Sequence, residues 1–243
     1  MSERLLTDGY KAEIDKNFDF VRSQMAQAGG QNVILLAATK TLSADVINYA
    51  IDKHGLSYVG ENRVQELVAK YDHLHKDGLH IHFIGRLQRN KVKYIVDKVE
   101  MIHSLDSIAL AAEIDRQSAK HERTMDVLVE VNVGNEESKG GITKEQLPAF
   151  LEELKVFKNI RVRGMMVIPP PADDEGYKKY FTESRKIFVD NFVNNGHNNI
   201  RYLLSMGMSD SYVQAIQCGS DIVRIGSSLF GKRDYPEKTD TAE

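Results

Sequence analysis

A chain of 243 residues, 42% hydrophobic and 28% charged with only five prolines, can bury a large core, which excludes a disordered or low-complexity protein. Its 32 Lys and Arg against 35 Asp and Glu leave a net charge of −3, so no overall field draws it to nucleic acid or to anionic membranes, and neither is an expected partner. The single cysteine, Cys218, permits neither an internal disulfide nor a cysteine-based metal site and fits a reducing cytoplasm, while no apolar run approaches the ~20 residues that span a bilayer and no h-region marks a signal peptide.

In chain order, an amphipathic stretch at 7–27 predicts a helix ahead of the first strand, covering the bottom or side of the strand assembly. The apolar run 32–38 reads as a strand, followed by a helix at 44–53 that Ser43 opens and Gly55 closes. Strand 56–59, helix 63–71, strand 80–84, helix 88–98, strand 101–105 and helix 108–121 continue the alternation. Strand 126–133 leads to a helix at 144–157, where Thr143 and Gln146 stand in a capping-box arrangement. Strand 162–168, helix 177–193, strand 201–205, helix 211–217 closed by Gly219, and strand 221–225 complete the pattern.

Several of these runs are almost continuously apolar, as in Val33-Ile34-Leu35-Leu36 and Val127-Leu128-Val129, which suits parallel strands covered on both faces. Eight β/α alternations without a composition break predict one domain, 1–243, folded as a closed (β/α)8 TIM barrel with an extra N-terminal helix. The alternative is an open doubly wound sheet. Its glycine-rich first turn is absent, since Ala37-Ala38-Thr39-Lys40-Thr41 follows the first strand, and no Walker A lysine follows a glycine loop.

Barrels of this kind collect reactive groups at the carboxyl ends of their strands. Lys40 ends the first strand and is placed to form a Schiff base with an aldehyde, although most lysines there are solvated surface charges. Ser205-Met206-Gly207-Met208-Ser209 and Gly226-Ser227-Ser228 end the last two strands, where small residues expose backbone N–H groups to a phosphate; taken singly, each is also an ordinary tight turn. Arg224 interrupts the apolar run Ile222-Val223-Arg224-Ile225, where a guanidinium needs a specific partner, either in the barrel mouth or in a buried ion pair. The eight histidines lack metal-ligand spacing, and His80 and His82 share a strand face without an evident carboxylate or cysteine companion. Arg86, Arg89, Lys91 and Lys93 read as the solvated face of a helix whose apolar side is Val92, Ile95, Val96 and Val99.

Taken together, Ala38-Thr39-Lys40, Gly60-Glu61-Asn62 with Gln65-Glu66, His82-Phe83-Ile84-Gly85 with Leu87-Gln88 and Asn90-Lys91, Ser138-Lys139 with Gly141, Arg163-Gly164-Met165-Met166, Leu204 to Ser209, and Arg224-Ile225-Gly226-Ser227 form an ordered set. In these blocks the chain resembles the pyridoxal phosphate homeostasis proteins, the YggS/PROSC family, which look like the isolated barrel domain of alanine racemase. The resemblance implies that Lys40 carries pyridoxal 5'-phosphate as an internal aldimine and that Arg224 faces the pyridine nitrogen. It also implies that Ser205, Gly226 and Ser227 hold the phosphate, that Asn62 lines the pocket, and that Met206 and Ile225 adjoin it; a role for Lys139 stays open. Arg86 and Arg89 stand where the family often has proline and serine, and Ser211, preceded by Asp210, stands where it usually has aspartate, departures that touch surface charge and helix capping.

The function so implied is storage, buffering or delivery of the cofactor by a monomeric, cytoplasmic carrier without robust turnover, with apo-forms of pyridoxal phosphate enzymes as possible recipients. A pyridoxal phosphate-dependent amino-acid racemase is the alternative, and a barrel forming Schiff bases with sugar phosphates is a third. Two features favour the carrier. The chain ends soon after Phe230-Gly231, without the second domain that supplies a tyrosine acid/base in the related racemases. An arginine opposite the ring nitrogen also keeps the pyridine largely unprotonated and a poor electron sink, which weakens transamination and decarboxylation, although racemases tolerate such an arginine.

Overall fold

The computed structural model describes residues 4–134, 140–194 and 200–231. Helix α1 (Asp8–Gln27) starts where the Thr7 hydroxyl accepts the Tyr10 N–H, and it is followed by β1 (Ile34–Ala38). Helix α2 (Ala44–His54) has the expected ends, a Ser43 hydroxyl cap and Gly55 in the left-handed region at φ 60°. Next come β2 (Tyr58–Glu61), α3 (Val64–Lys70), β3 (His80–Phe83), β4 (Met101–Leu105), α4 (Ile108–Lys120) and β5 (Met125–Val131). Helix α5 (Leu147–Leu154) follows a reciprocal capping box: Gln146 N–H donates to the Thr143 hydroxyl at 3.3 Å, and Thr143 N–H donates to Gln146 Oε1 at 2.9 Å. The chain then runs through β6 (Ile160–Val167), α6 (Asp174–Phe188), β7 (Leu203–Ser205), α7 (Tyr212–Gln217), β8 (Ile222–Ile225) and the short α8 (Ser227–Phe230).

The strands close into a barrel in the order β1 to β8, each parallel to its neighbours, with Leu36 paired to Arg224 where β8 returns to β1. Three predicted helices differ, the first being α5, which is three residues shorter at each end than the expected 144–157. The stretch 88–98 forms a 3-10 helix at Arg89–Tyr94 with turns closed by bonds such as Ile95 N–H to Val92 O, because the β-branched Val92, Ile95, Val96 and Val99 lose rotamers in an α-helix. Helix α6 begins three residues before the expected 177, where Asp173 Oδ1 accepts the Gly176 N–H and Asp174 and Glu175 fill the first turn, and it ends in a π turn at Val189–Val193. Helix α1 packs along the side of the barrel against α2, α7 and α8 and so fills the ring position that four-residue α8 leaves open.

Period-two alternation sorts the strand side chains into two cores. Leu36, Ile84, Met101, Leu128, Met166, Leu203 and Ile222 pack together inside the barrel, whereas Ala37, Val59, Phe83, Ile102, Leu204, Val223 and Ile225 face the surrounding helices. Two residues after Met101, Leu128, Leu203 and Ile222 stand His103, Glu130, Ser205 and Arg224, and two before Ile84 stands His82, all buried. Polar and apolar residues thus share the interior of the barrel.

Candidate cofactor site

Arg224 is only 4% exposed, and two of its N–H groups find partners inside the lumen: Nη1 donates to Ser205 Oγ at 2.6 Å and Nη2 donates to the Val167 carbonyl at 2.9 Å. Ser205 Oγ also lies 3.2 Å from His103 Nδ1, and His103 Nε2 lies 2.9 Å from His82 Nδ1. Burial pushes the His82 ring down to about 3 and holds His103 well below the usual imidazole range, so both are neutral near pH 7. A chain donating from the Ser205 hydroxyl to His103 Nδ1 and from His103 Nε2 to His82 Nδ1 matches both contacts. Its effect is to orient Arg224 without neutralising it.

Burial lowers Arg224 to about 10, partly offset by Glu130, and it stays cationic at neutral pH. Burial and the nearby Asp106 raise Glu130 to about 7, against the pull of Arg224 and Arg86. No carboxylate lies within ion-pair distance of Arg224 among the described residues, so the buried-ion-pair reading does not hold. Half-buried Lys40 and Asn62 stand beyond the ends of β1 and β2, and Asn62 Oδ1 is buried without a hydrogen-bond partner.

The turns after β7 and β8 meet on one hydroxyl. Ser209 Oγ accepts the backbone N–H of Gly226 and of Ser228, each at 3.2 Å, and Gly207 between them takes φ 95°, where an added Cβ would come within 2.5 Å of Ala215 Cβ. These N–H groups sit beside the exposed Ser227 at the start of α8. Ser209 Oγ thereby occupies both donors and ties the turn after β7 to the turn after β8.

The structure therefore brings Lys40, Asn62, Arg224, Gly226 and Ser227 to one end of the barrel but redistributes the rest. Ser205 is fully buried beneath this layer and bonded to Arg224, and Ser209 is the serine at the Gly226 turn. Met206 and Ile225 send their side chains into the core between sheet and helices, which leaves only their backbone for the site. Lys139 lies outside the described residues. His82, His103 and Glu130 are additions; His80, by contrast, is engaged by the Glu100 carboxylate at 2.7 Å, the companion its sequence neighbourhood did not reveal. Strand parity held the signal for Ser205, because a residue inside the apolar run points into the barrel while a phosphate-holding turn lies past its end. A cleft of about 1480 Å3, lined by Asn62, Arg86, Gln88, Asp106, Ser107 and Arg116 among others, opens beside the ends of β2 to β4.

The family described as alanine racemase, N-terminal domain, matches residues 11–234. A protein of Aquifex aeolicus named pyridoxal phosphate homeostasis protein is 45% identical over 202 residues, 83% of this chain and 87% of that one. The chain belongs to this family. PipY of Synechococcus elongatus PCC7942, solved with PLP bound, superposes with a TM-score of 0.78 at 32% identity, covering 90% of this chain and 100% of PipY. Alanine racemase of Clostridium difficile 630 shares the fold, with a TM-score of 0.69 at 16% identity over 91% of this chain and 58% of the racemase.

Proposed function

We propose that this family member binds pyridoxal 5'-phosphate through Lys40 and serves the intracellular homeostasis of that cofactor by storing, buffering or delivering it. The observation that carries the reading is cationic Arg224, buried at the strand ends that also carry Lys40 and the Gly226 turn, with no carboxylate within ion-pair distance among the described residues. The residues present would suit that cofactor: Arg224 could donate to a pyridine nitrogen, the unpartnered Asn62 Oδ1 could accept from a ring hydroxyl, and a phosphate could take the Gly226 and Ser228 N–H groups in place of the Ser209 hydroxyl. When bound, the cofactor supplies an aldehyde carbon. Lys40 would hold that carbon through a C=N linkage, a bond that forms with loss of one water and that hydrolysis reverses. The relatives' shared name and PLP-bound PipY support the same reading.

Binding is favoured over turnover by the charge state of Arg224, which at about 10 does not yield its proton to the ring nitrogen near neutral pH. Cytoplasmic residence and hand-over to apo-enzymes complete the proposal; the single Cys218 suits a reducing compartment. The test is borohydride reduction of the protein loaded with pyridoxal phosphate, followed by peptide mapping. Label on Lys40, and loss of the visible absorbance in Lys40→Ala with the fold intact, is the expected result. Label on another lysine, at undiminished absorbance, overturns it.

A further inference from the structure

Lys40 lies past the last residue of β1, where sheet pairing no longer fixes the backbone, yet both peptide planes that flank its Cα are held from behind by α3. Lys70 Nζ donates to the Thr39 carbonyl at 3.0 Å and to the Leu42 carbonyl at 3.1 Å. Glu66 Oε2 accepts the Thr41 N–H at 2.7 Å. Glu66 and Lys70 are one helical turn apart on α3, hence on one face. Glu61, 1% exposed, closes the group: its Oε1 takes the Thr39 hydroxyl and pairs with Lys70 at 2.8 Å, while its Oε2 stays buried without a partner. Thr41 itself sits at φ 66°, a region a β-branched residue keeps only where its surroundings over-determine it.

We propose that Glu61, Glu66 and Lys70 are positioning residues that aim the Lys40 side chain into the barrel mouth and so set the rate at which it attaches the cofactor. The proposal rests on Lys40 being the attachment point. A buried ion pair is a weak stabiliser, since well-packed apolar residues of similar volume commonly serve as well. What this one achieves instead is direction: Lys70 and Glu66 from one helix hold the two peptide bonds that flank a single residue, and Glu61 braces Lys70 and the Thr39 hydroxyl. Lysine is long and flexible, and fixing its Cα–Cβ vector removes most of the unproductive directions. The ion-paired Lys70 amine is itself tied to two carbonyls and a carboxylate, which makes it part of the support.

The experiment follows the rate of borohydride-trappable label at Lys40, the total cofactor bound in equilibrium dialysis, and the thermal midpoint, in the full chain. Lys70→Met combined with Glu61→Gln removes the clamp without leaving a buried charge unpaired. Trapping at Lys40 is expected to slow by on the order of tenfold, with total bound cofactor little changed. Glu66→Leu should slow it likewise, and Glu66→Gln, which keeps an oxygen for the Thr41 N–H, should restore the parent rate. Parent-rate trapping per folded molecule in both clamp variants, whatever the thermal midpoint, overturns the clamp. Should the double variant fail to fold, the Glu66→Leu and Glu66→Gln pair decides alone. No label on Lys40 in the parent protein overturns the attachment point and the clamp with it.

Discussion

Ser205 and Ser209 stand four residues apart and serve opposite ends of the site. Ser209 holds the Gly226 and Ser228 N–H groups and so fixes the turn proposed to meet the phosphate, and Ser209→Ala should weaken cofactor retention by roughly tenfold, the scale of one hydrogen bond to a charged group. Ser205→Ala strands a buried guanidinium N–H instead and should cost about 1–3 kcal/mol of stability. Equilibrium dialysis and urea unfolding on both variants separate the two roles; the reverse pattern would return the phosphate to Ser205. The buried titrating groups make a second prediction, for the cofactor-free protein. His82 and His103 have folded values below the ordinary 6.5, so the unfolded chain takes up more protons and stability falls as pH drops from about 6.5 toward 3. Glu130 has the opposite sign. Raised from 4.5 to about 7, it favours the folded state below about 4.5, and that contribution is lost as pH rises through 7. Glu130→Gln should therefore gain on the parent protein between those limits, by at most about 3 kcal/mol from the linkage of a pKa shift to stability. Urea midpoints at pH 5, 6 and 8 that move in parallel for the two proteins would show that Glu130 ionises normally.

Glycines separate geometric necessity from convenience at the scale of the element. Gly164 in β6 has φ 134°, and an added Cβ would lie 2.0 Å from the Leu203 carbonyl of the next strand. Backbone cannot yield there as a side-chain tip can, so Gly164→Ala should cost roughly 3 kcal/mol or more. Gly9 in the first turn of α1 has nothing within 4 Å, and Gly9→Ala should gain about 0.5–1 kcal/mol from helix propensity. Thermal unfolding of the two variants checks the contrast, and equal midpoints would remove the close approach of β6 and β7 as its cause. The elements with local signals were readable in advance, as Ser43 and Gly55 around α2 and the Thr143–Gln146 box before α5 show. The 3-10 segment at Arg89–Tyr94 was not, because apolar spacing of three and four residues is common to both helix types and only the docked turns distinguish them.

For the whole molecule, α1 links the barrel wall to the proposed phosphate end. Tyr10 Oη donates to the Phe230 carbonyl at 3.0 Å, Asn17 donates to the Leu229 carbonyl at 3.1 Å, and fully buried Phe18 meets the Phe230 ring edge-on at 6.0 Å. All these partners lie in α8, which starts beside Gly226. Phe18→Ala should cost about 3–5 kcal/mol in urea unfolding and also weaken cofactor retention through α8; retention unchanged in the folded variant would break that link.

The sequence by itself determined the alternation of eight strands and seven intervening helical stretches, the presence of Lys40 at a strand end, and the glycine-serine turns after the last two strands, because each is written in contiguous residues. Only the tertiary structure decided which groups meet. His103 and Ser205 are 102 positions apart and touch across the lumen, and Arg224 reaches the Val167 carbonyl over 57. Closure of the barrel sets those encounters, since it brings inward-facing residues of non-adjacent strands together. No local pattern records which strands will face each other.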